Sequence, residues 1–188
     1  IVLSLLAIIG LWHIGQGSYI YAKAHLAQYL IKSSWQTYMQ NQQVKRPWPW
    51  ADTWPVSRML MAKHDVDLYI LAGDNGRTLA FGPGYRFGTA KPGEVGNSII
   101  AAHRDTHFDF LKEVAIGEQF TIQAVSGVML NYKIVDIQIS HYLNTYVPEP
   151  ADTSMITLVT CFPFDTLISG GPLRYLVIAE QTELGVAL

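Results

Sequence analysis

The sequence predicts an all-β domain, an eight-stranded closed barrel with one or two short helices, preceded by an N-terminal helix. About half of the 188 residues are hydrophobic (49%), which is enough for one domain with a proper core. After Pro55 the chain breaks into eight short apolar runs, rich in Val, Ile, Thr and Tyr and bounded by Gly, Asp, Asn or Pro, as strands are. Eight short strands suit a small closed barrel.

Charge and cysteine content exclude several classes of function. Thirteen basic and fifteen acidic residues give a formal charge of -2, and no basic stripe offers a surface for phosphates, so we expect no nucleic-acid partner. Cys161 is the single cysteine, so it forms no intrachain disulfide and belongs to no zinc-ligand pattern. Its role must be packing or reactivity.

The N-terminal segment, residues 1–32, is expected to form an apolar helix that anchors the protein to a membrane. Residues 1–22 contain no Lys, Arg, Asp or Glu, and helical spacing of apolar residues continues to about Ile31. A membrane span needs roughly 20 apolar residues, however, and residues 15–18 dilute the run before that length. The alternative is a helix packed against the domain or against a second copy in a homodimer.

Residues 33–53 are expected to be a linker between this helix and the barrel, which we place at residues 54–188. The linker is first rich in glutamine, and residues 47–55 then contain three prolines and three tryptophans, which disfavour a long helix or a central strand. The tryptophans are expected to dock the linker onto the barrel, with a peptide-binding aromatic surface as the alternative.

Within the barrel, one helix is predicted at about residues 107–113. Thr106 and Asp109 have the spacing of a capping box variant, and Phe108 and Leu111 share one helical face. The eight predicted strands are residues 56–62, 66–72, 78–82, 97–103, 120–125, 128–139, 155–161 and 174–180.

Cys161 closes the apolar run 157–161, so it is predicted at the C-terminal end of a strand, on the same face as Val159 and Thr157. A strand end is a rigid place to present a nucleophile. Taken alone, the residue fits equally well a buried, unreactive cysteine, because free cysteines are among the most buried residues.

His103 ends another apolar run, residues 97–103, and is a candidate partner for the thiol. The ends of two strands can meet in a barrel, which would bring the imidazole to Cys161. His107 is a second available imidazole, and Arg104 and Asp105 are expected to pair with each other or to cap the helix.

Arg174 opens the last predicted strand, thirteen residues after Cys161. A guanidinium held beside a thiol can favour the thiolate and donate to the oxygen that becomes negative in a tetrahedral intermediate. The alternative is an ordinary surface cation.

Together, three motifs resemble the sortase family over roughly residues 54–181. They are TLVTC around Cys161, AAHRDTHFDFL around His103 and GPLRYLVIAE around Arg174. The resemblance implies a sortase-type barrel and a cysteine transpeptidase. Cys161 would attack the bond after Thr in a Leu-Pro-x-Thr-Gly-like sorting motif on another protein, and an amine would resolve the resulting thioacyl enzyme.

In this reading His103 acts as general acid to the leaving amine and then as base toward the incoming amine, while Arg174 steadies the oxyanion. The resemblance also implies substrate contacts from Thr160, Phe162 and Ala102, with the loop 162–173 lining the groove. Many family members have Gly where this chain has Ala102, so the backbone before His103 is less free.

The residues HRDTHF (103–108) and the segment rich in proline and tryptophan resemble those of sortases from marine, Gram-negative proteobacteria. This subgroup implies a membrane-anchored protein at the periplasmic face of the inner membrane, with an acceptor amine that the sequence does not identify. The mechanism needs no cofactor. We also expect no metal site, because Asp65, Asp67 and Asp74 are scattered rather than clustered as calcium ligands.

Two other functions stay open from the sequence. Water can resolve the thioacyl enzyme in place of an amine, which would make the protein a processing peptidase with the same catalytic residues. A membrane-tethered barrel that binds peptides without catalysis would leave Cys161 unreactive.

Overall fold

The computed structural model describes residues 2–144, 147–148, 152–166 and 170–182. In these ranges eight strands close a barrel in the order β1-β2-β3-β4-β7-β8-β6-β5, which confirms the predicted fold. The strands are β1 Pro55–Met61, β2 Val66–Ala72, β3 Gly84–Tyr85, β4 Gly96–Ala101, β5 Gln119–Ala124, β6 Met129–His141, β7 Ser154–Phe162 and β8 Leu173–Gln181. The helices are α1 Val2–Asn41 and α2 Gly76–Leu79, with 3₁₀ turns at Ala62–His64 and Asp109–Lys112.

One predicted strand, residues 78–82, is wrong. Asn75 begins the short helix α2 there, because its side-chain oxygen accepts hydrogen bonds from the backbone N–H groups of Arg77 (3.0 Å) and Thr78 (3.1 Å). The third strand of the barrel follows at Gly84–Tyr85 and has only two residues. A local cap therefore overrides the apolar pattern of this segment.

The helix predicted at residues 107–113 is shorter than expected and is a 3₁₀ turn, Asp109–Lys112. Its first flanking residue is Phe108, and no side chain caps it, so the predicted capping box does not form. Asp109 instead accepts hydrogen bonds from Lys112 at 2.8 Å. Phe108 and Leu111 are both fully buried, so the predicted apolar face is confirmed.

Helix α1 continues to Asn41, ten residues past its expected end near Ile31, so the predicted linker does not begin at residue 33. Residues 32–41 contain neither proline nor glycine, and Ser34 and Trp35 bury their side chains as Ile31 does. The Trp35 ring lies 6.4 Å from that of Tyr69 on β2. Packing against the barrel therefore stabilises the last turns of the helix.

Across the part of the chain that the structure describes, no helix has the length and hydropathy needed to cross a membrane.

The segment after α1 docks onto the barrel through two of its three tryptophans, as expected. The Trp48 ring lies 5.0 Å from Phe81, edge to face, and the Trp54 ring lies 6.3 Å from Phe87. Trp50 is 82% exposed. Docking thus accounts for Trp48 and Trp54, while Trp50 stays on the surface.

The direction of side chains on β4, β7 and β8 decides where the site lies. Successive strand residues point to opposite faces of a sheet. The core of the barrel takes one set of alternate positions, namely Ile100 and Ala102, Ile156 and Leu158, and Val177 and Ala179. The other alternate positions, which include Cys161 and Arg174, therefore lie on the outer face.

Candidate active site

Two of the three predicted catalytic residues are paired on adjacent strands. Cys161 on β7 lies directly opposite Arg174 on antiparallel β8. On the other side of β7, parallel β4 pairs with it as far as Ala101 opposite Val159. His103 follows two residues after Ala101, and Cys161 follows two residues after Val159. The closeness of His103 to Cys161 stays a prediction.

Cys161 occupies the penultimate position of β7 and is partly exposed, with a free thiol. Its side chain points to the outer face, away from the core positions Ile156 and Leu158. The ladder to β8 fixes the backbone at Cys161 itself, and the ladder to β4 fixes β7 as far as Val159. The thiol is therefore both accessible and rigidly presented.

His103 is exposed, and its position is set by the backbone around it. The N–H of Ala102 donates to the carbonyl of Val159 at 3.2 Å. The carbonyl of Ala102 accepts from the hydroxyl of Thr160 at 2.7 Å. Five residues after His103, the N–H of Phe108 donates to the His103 carbonyl at 3.0 Å, which closes the turn between them.

Arg104 was expected to pair with Asp105 or to cap a helix, and the structure directs it to another segment. Its guanidinium is buried, and Nη2 donates to the carbonyl of Thr166 in the β7–β8 loop at 3.1 Å. Asp105 is exposed. The residue that follows His103 thus contacts the loop that follows Cys161.

Arg174 is held by its own strand end and by one aromatic ring. Nη1 donates to the carbonyls of Gly171 (2.7 Å) and Leu173 (2.9 Å). The guanidinium carbon lies 5.7 Å from the centre of the Tyr142 ring, within the range of a cation–π contact. These contacts hold a permanent positive charge at the start of β8, opposite Cys161 in the strand pairing.

His107, the other available imidazole, lies in a different environment. Burial lowers the pKa of His107, and the nearby charge of His103 lowers this pKa further. The side chain lines a cavity of about 450 Å³ together with His64, Asp65 and Phe110. His107 thus differs from His103, which is exposed and lies two residues after the end of β4.

The residues predicted to contact substrate do not share the face of Cys161. Thr160 is 2% exposed and Ala102 is 5% exposed, and both point toward the core. Phe162 lies on this same side, stacked on Tyr175 at 6.1 Å. The reason is the two-residue period of a strand, which turns the neighbours of Cys161 away from it. These residues lie on the core side of the sheet, beneath the site. Their direct contact with substrate stays a prediction.

The sequence reasoning missed a groove on the outer face of β4. A cavity of about 340 Å³ is lined by Asn97 and Ile99, which have the same orientation as His103, and by Val147 and Pro148. Asn97 donates from Nδ2 to the Pro148 carbonyl at 2.8 Å, which holds that segment over the strand. The other lining residues are Gly88, Thr89, Ala90 and Gly96. The alternation of Asn97, Ile99, Ala101 and His103 was the available signal.

Of the three aspartates that we considered as calcium ligands, two form ion pairs. Asp67 contacts Arg58 at 2.6 Å and Asp74 contacts Arg86 at 2.7 Å. The Arg58 hydrogen bond lowers the pKa of Asp67. Among the residues that the structure describes, no three His, Cys, Asp or Glu side chains are arranged to hold a metal ion.

The fold and site define a class of protein: a closed eight-stranded barrel in which Cys161 and Arg174 are paired on β7 and β8 and His103 follows the end of β4. Residues 59–182 match the family model of the sortase domain. The match covers more than half of the chain, and the chain belongs to the sortase family.

Individual relatives agree with this assignment. Sortase D of Bacillus subtilis (strain 168) is 28% identical, over 63% of this chain and 60% of the relative. The chain thus spans about 60% of the length of that relative.

Solved structures share the fold. A Clostridium perfringens Sortase D5 transpeptidase has a TM-score of 0.68 at 20% identity, covering 84% of this chain and 99% of that one. Sortase C-1 from Actinomyces oris has a TM-score of 0.61 at 26% identity, covering 80% and 82%.

Proposed function

We propose that this protein is a cysteine transpeptidase that cleaves an LPxTG-like sorting motif after Thr and transfers the acyl group to an amine. The observation that carries the proposal is the pairing of Cys161 with Arg174 on β7 and β8, with His103 two residues past the end of neighbouring β4. These three residues form the proposed catalytic row. Membership of the sortase family supports a protein substrate with a sorting signal.

The first half-reaction forms a thioester on Cys161. With Cys161 as thiolate and His103 as imidazolium, Sγ attacks the carbonyl carbon of Thr, and the oxygen takes up the negative charge beside the Arg174 guanidinium, which donates a hydrogen bond to it. As the intermediate collapses, the C–N bond to Gly breaks and His103 gives a proton to the departing nitrogen. The C-terminal part of the substrate leaves as an amine.

The second half-reaction returns the enzyme to its starting state. An incoming amine attacks the thioester carbon and loses a proton to His103, and the carbon–sulfur bond then breaks. The same exposed imidazole thus serves as acid and then as base. Because His103 is exposed, both an amine and water can approach the thioester.

The groove on β4 has the right distance from Cys161 for such a motif. Ile99 lies four residues before His103, and strand residues rise about 3.3 Å each, so the cavity lies roughly 13 Å from the catalytic row. Four extended residues, Leu to Thr, cover about the same length. The side chains of Ile99, Val147 and Pro148 offer an apolar surface for the leucine and proline of the motif.

The location of the protein is part of the same proposal. The N-terminal segment tethers the barrel to a membrane with the active site outside the cytoplasm, at the periplasmic face of the inner membrane in the predicted Gram-negative subgroup. The absence of charged side chains from residues 1–22 supports a tether. Membrane fractionation and protease accessibility in intact cells test it, and sedimentation of the purified chain tests a homodimer through this helix.

Product analysis tests the proposed reaction. The protein is incubated with a Leu-Pro-x-Thr-Gly peptide library and hydroxylamine, and products are identified by mass spectrometry. Cleavage after Thr with a hydroxamate product is expected. A carboxylate product even in excess hydroxylamine would favour the peptidase, and intact peptides would favour the binding barrel.

Two histidines four residues apart provide the control for that experiment. His103→Asn should abolish the hydroxamate, whereas His107→Asn should retain most of it, because the proposed reaction uses the exposed imidazole of His103 and not the half-buried one of His107. Equal loss in both variants would contradict the assignment of roles.

A further inference from the structure

We propose that Arg104 is a positioning residue that ties the β7–β8 loop to the His103 segment and so keeps all three catalytic side chains in register. The inference rests on the proposed transpeptidase function for its catalytic consequence. Its structural part concerns the loop itself and stands without activity.

The burial of Arg104 is the first observation. The residue is only 7% exposed, and it is the one arginine among the buried residues of the described ranges. Removing a guanidinium from water is costly unless it makes good hydrogen bonds. The bond from Nη2 to the Thr166 carbonyl, at 3.1 Å, is of the charge-assisted kind that can offset this cost.

The second observation is the position of this bond along the chain. Arg104 directly follows His103, and Thr166 lies in the loop that leads from Cys161 to Arg174. One hydrogen bond therefore joins the two segments that carry the three proposed catalytic residues, His103 on one side and Cys161 and Arg174 on the other.

A matching bond lies on the opposite side of His103. There the Thr160 hydroxyl donates to the carbonyl of Ala102 at 2.7 Å, which joins the same two segments through β7. Two hydrogen bonds between the segments thus flank the exposed imidazole, one at the residue before His103 and one at the residue after it. Neither requires a contact with the ring, so the ring stays available to substrate.

The loop in turn supplies the acceptors for Arg174. Nη1 of Arg174 donates to the carbonyls of Gly171 and Leu173, at the far end of the loop from Thr166. If Arg104 fixes the loop, it also fixes the acceptors that orient the second guanidinium. Loss of Arg104 should therefore change the orientation of the Arg174 side chain, although Arg104 follows β4 and Arg174 lies at the start of β8.

The test combines loop exchange with kinetics in the full chain. Arg104→Met removes the donors, Arg104→Lys keeps a charged donor, and Arg77→Met is the control because Arg77 is on the surface, where it forms a 3.6 Å ion pair with Asp52. Hydrogen–deuterium exchange of the segment 162–173 should become about tenfold faster in Arg104→Met, intermediate in Arg104→Lys and unchanged in Arg77→Met.

In kinetics with a Leu-Pro-x-Thr-Gly peptide, kcat of Arg104→Met should fall about tenfold, with partial recovery in Arg104→Lys. Alkylation of Cys161 by iodoacetamide, which needs no ordered loop, should stay within about twofold of wild type. A folded Arg104→Met protein with normal loop exchange, or with faster exchange and normal kcat, overturns the inference. If Arg104→Met does not fold, Arg104→Gln carries the same readouts.

Failure of the two proposals can be told apart. A wild-type protein that forms no hydroxamate contradicts the transpeptidase, and loop exchange alone then decides the role of Arg104. An active wild type with an unaltered Arg104→Met contradicts only the positioning role.

Discussion

Cys161 and Arg174 lie directly opposite each other on β7 and β8. Facing residues on one face of an antiparallel pair have Cβ atoms about 5 Å apart, which is within the reach of a guanidinium. The arginine is further held by backbone carbonyls of its own strand end. The pairing of the two strands therefore brings the backbones of Cys161 and Arg174 together, and the carbonyls of Gly171 and Leu173 orient the guanidinium.

Removal of Arg174 should mainly impair the chemical step. Arg174→Ala should lower kcat by about 10²- to 10³-fold, the usual loss when an oxyanion donor is removed. Arg174→Lys should recover part of this loss in kcat, because the positive charge remains while the planar pair of guanidinium N–H donors is lost. Steady-state kinetics with the sorting peptide measure this effect. An unchanged kcat with a raised KM would show that the residue only binds substrate.

Tyr142 should orient Arg174 through its ring. The guanidinium lies 5.7 Å from the ring centre, and such a contact is worth about 0.5–1 kcal/mol at an exposed site. Tyr142→Leu should therefore lower kcat/KM about two- to fivefold. Tyr142→Phe should stay near wild type because it retains the ring. A similar loss in both variants would point to the hydroxyl instead.

Thr160→Val should destabilise the protein with almost no change of shape. The variant leaves the buried carbonyl of Ala102 without its hydroxyl donor, at a cost of about 1–3 kcal/mol in the free energy of unfolding. Thr160→Ser keeps the hydroxyl and should lose less. Urea unfolding measures both variants. A Thr160→Val protein as stable as wild type would show that the bond contributes little.

His107 should make stability fall on acidification. Its pKa is lowered in the folded state by burial and by His103, so the unfolded chain binds the proton more readily. The associated stability is fully present above the unfolded pKa, about 6.5, and is lost as the pH falls from there through the folded pKa.

His107→Asn should remove this pH dependence and leave a flatter profile. Urea unfolding of wild type and variant at about pH 7.5 and 5.5 measures the difference. An NMR titration of the His107 ring with a midpoint at or above about 6.5 would contradict the explanation.

Residues at strand ends were the most predictable part of the site. Cys161, His103 and Arg174 each end or begin an apolar run, and such boundaries can be read directly from composition. The strand pairing that brings Cys161 opposite Arg174 is non-local, as is the pairing of Ala101 with Val159, and neither can be read from the local sequence. The strand period did contain the information that Thr160 and Phe162 point away from Cys161.

Other features depended on contacts that local sequence does not encode. The last turns of α1 are stabilised where Trp35 packs near Tyr69 of β2, and nothing within residues 33–41 shows that partner. The groove on β4 is bounded by a segment that Asn97 binds 51 residues away in sequence, at Pro148. At residues 78–82 the reverse holds, because the local cap at Asn75 decides the structure, and the sequence analysis relied on the apolar pattern instead.

The central claim is that Cys161 carries the acyl group, and intact-protein mass spectrometry tests it most directly. Wild type is mixed with a Leu-Pro-x-Thr-Gly peptide without any amine, quenched in acid, and digested to locate the added mass. The account predicts an adduct equal to the peptide up to Thr, attached to Cys161, absent from Cys161→Ala and discharged by added hydroxylamine. Cleaved peptide without an adduct in wild type, or cleavage that persists in Cys161→Ala, would contradict it.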